Sequence, residues 1–137
     1  MQDRTSEDLL TVELNPLERE VAILRLIGEV DLSSAHLLSE QFKTVAEGHL
    51  AELIIDATAV TFMDSTGLHA LVEGKRLIHD EGTRILLVPS PQVRRVLELV
   101  FPEPLFAARM DTVDEARAAL NGRLDDRTDE ASDSPVA

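Results

Sequence analysis

The chain contains no cysteine, no tryptophan and no tyrosine among its 137 residues. Without cysteine there is no disulfide framework and no thiolate metal site, a composition compatible with a reducing compartment. Aromatic residues amount to 3%, all of them phenylalanine, so any core is aliphatic and base-stacking surfaces are poorly supplied. Basic residues are also scarce. Thirteen Lys and Arg face 26 Asp and Glu, and the net charge of −13 repels phosphate backbones and anionic head groups. Neither nucleic acid nor membrane is therefore an expected partner. No apolar run approaches the roughly 20 residues that cross a bilayer, and Met1 to Asp8 is polar and acidic where an export leader would be basic and then apolar. These features predict a soluble, unexported, cytoplasmic protein.

Several chemistries lack their signatures. Neither G-x-x-x-x-G-K-[ST] nor G-x-G-x-x-G occurs, and the six glycines lie scattered at the ends of predicted elements. His36, His49, His69 and His79 are widely spaced, with no H-E-x-x-H or other compact ligand set, so no metal or cofactor is expected. A hydrolase could in principle pair Ser65 with His69 one helical turn later. There is no G-x-S-x-G elbow, and no oriented acid or oxyanion hole can be assigned. No catalytic residue is expected, and the protein reads as a non-enzyme.

What the chain does have is apolar periodicity. At 44% hydrophobic residues and this length it can bury one core. Leu9 to Leu14 alternates as a half-exposed strand, expected at a sheet edge; Asn15 and Pro16 predict a turn, and Val21 to Ile27 completes a hairpin. Ser33 to Ala46 has helical spacing through Ala35, Leu38, Phe42 and Val45, and Gly48 ends it. Leu53 to Asp56 and Arg84 to Val88 are short and almost continuously apolar, as in strands covered on both faces. Asp64 to Asp80 is the crossover helix between them, stopped by Gly82, and Ser90 with Pro91 starts a third helix. A short strand around Leu105 to Ala107 and a helix capped by Asp111 over Thr112 to Asn121 follow. The fold class is α/β: a mixed, mostly parallel sheet of about five strands opened by a hairpin, with about four helices. Residues 1–8 are expected to be a flexible N-terminus, 9–121 one domain, and 122–137, with two Arg against five acidic residues, a disordered acidic tail.

The segment Thr61 to Leu68, TFMDSTGL, joins a buried strand to an amphipathic helix. Asp64 is a natural N-cap, and Gly67 permits tight packing. With Asp64 as cap, Ser65 and Thr66 fall in the first turn outside the stripe that Leu68 begins, and their hydroxyls face solvent. A phosphate there is electrostatically welcome and adds about −1.5 to −2 charges to a partner-facing surface.

Three segments carry a family resemblance: LRLIGEVDLSSA from Leu24 to Ala35, LIIDATAVTFMDSTGLHALVEGKRL from Leu53 to Leu77, and RILLVPSPQVRRVLELV from Arg84 to Val100. They resemble the STAS-domain anti-sigma factor antagonists over roughly Leu9 to Leu120, which implies a STAS-like fold. The D-S-[ST]-G match implies that Ser65 is phosphorylated by an ATP-dependent anti-sigma factor kinase. It also implies that the unphosphorylated form binds this kinase and releases a sigma factor, and that a phosphatase reverses the modification. The partner surface so implied includes Asp31, Asp64, Ser65, Thr66 and Gly67. Asp31, in a G-E-V-D turn, also reads as an N-cap for the first helix. Two departures stand out: His69 where a small residue is common, and Phe101-Pro-Glu-Pro in place of T-G-L. A monomer or weak dimer is expected. The alternative is a non-switching STAS scaffold or partner subunit of a sensory or transport complex.

Overall fold

Alternation and continuous apolar runs produce the sheet. The computed structural model describes residues 3–6, 10–100, 108–109 and 112–119. Among the described residues, strands β1 (Asp3–Ser6), β2 (Leu10–Glu18), β3 (Val21–Val30), β4 (Glu52–Met63), β5 (Arg84–Pro89) and β6 (Ala108–Arg109) form one six-stranded sheet in the order of the sequence. The first two pairings are antiparallel and the remaining three parallel, so the mixed, mostly parallel sheet is as expected, with one more strand than anticipated.

The extra strand is β1, and it lies within the stretch read from the sequence as a flexible N-terminus. Its sequence, DRTS, has no apolar alternation to announce it. With β1 outside it, β2 is not the edge strand that the sequence suggested. Asn15 and Pro16 do not turn the chain either. They sit within β2 opposite Ile23 and Ala22, beside a register shift between Pro16 and Glu18, and Glu20 makes the turn with φ 64°. A proline cannot donate to the ladder, and an irregularity accommodates it inside a strand.

Strand β4 runs seven residues past Asp56, where the sequence reading ended it. The buried Asp56 carboxylate accepts from the Thr58 hydroxyl at 2.6 Å and the Thr58 amide at 3.0 Å, and Arg25 of β3 approaches to 3.5 Å. A carboxylate satisfied in this way need not end a buried strand. Beyond Ala57 the strand pairs with β3 alone, ending with Val30 opposite Met63.

Helices α1 (Ala35–Glu47), α2 (Ser65–Asp80) and α3 (Pro91–Val100) pack a core with Leu10, Val12, Leu24, Leu26, Leu53, Ile55 and Leu87. Alternate residues Val21, Ile23, Ile54, Leu86 and Val88 cluster separately with Ala116 of α4, residues 113–119. Coverage on both faces explains the apolar runs Leu53 to Ile55 of β4 and Ile85 to Val88 of β5. The helix starts are built from hydroxyls and carboxylates. Ser90 Oγ accepts from the Val93 amide at 3.1 Å, as the Ser-Pro signal predicts. At α4, Thr112 Oγ1 accepts from the Glu115 amide at 3.0 Å. The predicted cap Asp111, the strand around Leu105 to Ala107 and the acidic tail lie outside the described residues.

Helices α1 and α2 pack side by side because Gly74 has no side chain. A methyl group built there would overlap the ring of the fully buried Phe42.

Candidate functional site

Parallel pairing of β3 with β4 delivers two turns to one end of the sheet. Val30 lies opposite Met63, so Asp31 and Asp64 leave adjacent strands side by side, and the Asp64 amide donates to the Val30 carbonyl at 3.3 Å. Each turn leads into a helix. The two helix starts share residue types but not construction.

At α2, Asp64 is the N-cap, in the extended conformation that position requires, and its Oδ1 accepts from the Gly67 amide at 2.9 Å. Gly67 is buried against the backbone of Val30, and a Cβ there would lie 2.2 Å from the Val30 carbonyl oxygen, far inside van der Waals contact distance. This glycine allows the helix to start directly against β3. Ser65 and Thr66 occupy the first turn, Ser65 exposed and Thr66 half-buried. Among the described residues neither hydroxyl makes a hydrogen bond.

At α1 the hydroxyls are committed. Asp31 Oδ1 accepts from the Ser33 amide at 2.9 Å, the Ser33 hydroxyl at 2.7 Å and the Ser34 hydroxyl at 3.3 Å. Ser34 Oγ also accepts from the Asp31 amide at 3.1 Å and donates to the Glu29 carbonyl at 2.8 Å. Above all the Ser33 hydroxyl, with help from its amide and Ser34, holds the Asp31 carboxyl below the ordinary carboxylate range. Asp31 is thus anionic and organises the turn before α1. The N-cap position itself belongs to Ser34, whose side chain makes no capping bond. Between them Leu32 is held out at 78% exposure.

A groove of about 500 Å³ runs between the first turns of α1 and α2, with Ser65, Thr66 and His69 on one side and His36 and Ser39 on the other. His69 Nε2 lies 4.0 Å from Glu73 Oε2, and Arg76 reaches the same oxygen at 3.4 Å. Among the described residues no group of three or more His, Cys, Asp or Glu could hold a metal ion.

All five residues singled out from the sequence therefore stand at one end of the sheet. Sequence reasoning missed Ser33 and Ser34, which anchor Asp31, and Leu32 and His36. The D-x-S-S spacing of a side-chain-bonded turn was the available signal for the first pair.

The family model for the STAS domain matches residues 15–116. The chain belongs to the STAS domain family. It is 29% identical over 105 residues to the anti-sigma-F factor antagonist RsfB of Mycobacterium tuberculosis, covering 77% of this chain and 86% of that protein. An anti-sigma factor antagonist from Mycobacterium paratuberculosis superposes with a TM-score of 0.69 at 25% identity, covering 85% of this chain and 98% of its own. SpoIIAA, an anti-sigma factor antagonist, matches in its unphosphorylated form with a TM-score of 0.61 at 26% identity, over 82% of this chain and 97% of that one. The phosphorylated form of SpoIIAA, a Bacillus cell fate determinant, matches with a TM-score of 0.59 at 25% identity, over 80% and 98%. The relatives named here are thus anti-sigma factor antagonists, and among the described residues of this STAS chain no helix is long and apolar enough to cross a membrane.

Proposed function

We propose that the protein is an anti-sigma factor antagonist of the cytoplasm that acts by binding and not by catalysis. Unphosphorylated, it docks an ATP-dependent anti-sigma factor kinase through the end of the sheet that carries Asp31, Leu32 and the first turn of α2, and a sigma factor is released. The kinase then transfers phosphate to Ser65, docking is lost, and a phosphatase restores it.

One observation carries this reading. Of the four hydroxyls at the two helix starts, Ser33 and Ser34 are held by Asp31, while Ser65 is exposed with its hydroxyl uncommitted. Its first-turn position places a new phosphate where backbone amides and the helix dipole stabilise negative charge. Asp64 and Gly67 hold the turn in place, so modification changes the charge of the docking surface without remodelling the fold. Asp31 supplies a fixed anion that a basic group of the kinase can recognise, and Thr66 flanks the acceptor. That SpoIIAA exists in unphosphorylated and phosphorylated forms supports the same reading.

The test mixes purified protein with its candidate kinase and ATP, maps phosphate by mass spectrometry and measures affinity before and after. Phosphate on Ser65 and weakened binding are expected. Phosphate on Thr66 instead, or equal affinity of both forms, would overturn the mechanism.

A further inference from the structure

The groove beside Ser65 contains a pair of histidines that the docking reading leaves unused. His69 follows Ser65 by four residues on α2, the spacing at which helical side chains meet, and His36 faces the same groove from α1. Among the described residues lining this groove there is no Lys or Arg, and of these the two imidazoles are the groups that can become cationic. The acidic neighbours are already engaged. Asp64 bonds the Gly67 amide, and Glu73, four residues beyond His69 with Nε2 to Oε2 at 4.0 Å, is also held by Arg76 at 3.4 Å. His69 therefore stands between a serine one turn before it and a glutamate one turn after it, and it can leave the glutamate without stranding that carboxylate.

Resting on the reading of Ser65 as phosphoacceptor, we propose that His69, with His36 across the groove, is the internal counter-charge of the Ser65 phosphate, taking it up in exchange for Glu73. A phosphate dianion attracts an imidazolium more strongly than one shared carboxylate does. Each partner stabilises the other's charged form: the phosphate gives up its second proton more readily, and the imidazole holds its proton more firmly. The pairing lasts only while the imidazole carries its proton, so it weakens as pH rises. The phosphorylated state is thereby coupled to protons, whereas the unmodified state lacks the phosphate half of the pair.

The test uses the full chain with phosphoserine installed at position 65 during translation, so that it does not depend on any kinase. Phosphorus NMR follows the phosphate between about pH 4 and 9 in the unsubstituted protein, in His69→Gln and in His36→Gln. The second phosphate ionisation in the unsubstituted protein is expected about 0.3 to 0.6 pH units below that of His69→Gln, a two- to fourfold difference in proton affinity, with a smaller displacement for His36→Gln. Both histidines are exposed, so the variants are expected to fold, and circular dichroism checks this. Identical titrations in the unsubstituted protein and His69→Gln would overturn the pairing, as would a displacement seen only for His36→Gln. Failure of the kinase to modify Ser65 would sink the functional reading and leave this titration standing, so the two failures are distinguishable.

Discussion

The starts of α1 and α2 are two answers to one problem, how to begin a helix at the end of a parallel strand. At α2 a single carboxylate caps the amide of Gly67, the glycine seats the helix on Val30, and two hydroxyls are left over. At α1 a carboxylate and two serines bond to one another and to the Glu29 carbonyl, and no hydroxyl is left over. A side chain that stabilises a turn is occupied by that role, whereas one excused from it remains available to a partner or a modifying enzyme. The difference lies in the position of each hydroxyl relative to the carboxylate, not in composition.

Substitutions can break or sharpen this contrast. The largest effect is expected at Ser65. Ser65→Ala should lose all phosphate incorporation in the kinase assay while keeping its thermal midpoint, because Asp64 still caps the helix. Ser33→Ala should still be phosphorylated. Gly67→Ala comes next, since its methyl group has no room beside the Val30 carbonyl; a loss of about 1 to 3 kcal/mol in denaturant unfolding is expected, and an unchanged midpoint would show that α2 can shift away freely. A smaller loss, about 1 kcal/mol, is expected for Asp64→Ala. Asp31→Ala should lose less than Asp64→Ala in the same measurement, because the Ser34 and Ala35 amides still donate to the residue 31 carbonyl, at 3.1 and 2.8 Å in the native chain. Equal losses would erase the contrast. The smallest effect concerns pH. A carboxyl depressed in the folded state favours folding above its unfolded value, and the contribution disappears as pH falls through the folded value. For Asp31 that window lies at the acidic end, and carbon NMR of the carboxyl should show its midpoint rising in Ser33→Ala, where the largest depressing hydrogen bond is gone.

Much of this architecture was legible because its signals are local. Asp64 before Ser-Thr-Gly, Ser90 before Pro91 and the apolar periods of α1 and α2 each involve residues within one or two turns, and each reappears where the sequence places it. What was illegible is non-local or depends on partners. Nothing in DRTS announces β1, which is a strand by virtue of pairing with β2. Pro16 looks like a turn residue until its neighbours in β3 are known. The length of β4 is set by β3 and by the bonds that satisfy Asp56. The same division runs through the site. The exposed Ser65 was evident from its own helix, whereas the contact that makes Gly67 indispensable comes from Val30, and the groove with its two histidines exists only because Gly74 lets α1 approach.

The sequential order of the strands bears on how the chain assembles itself. Every described strand pairs with its neighbour in the sequence, and the helices arise locally, so contacts can build outward from the β2–β3 hairpin without waiting for a distant segment. The two turns of the site need only β3 and β4, whose ends are joined by one crossover through α1. That loop can close once β4 and the start of α2 have left the ribosome, before β5 or α3 has emerged from it. The docking surface proposed above is thus among the earlier parts of the molecule able to form.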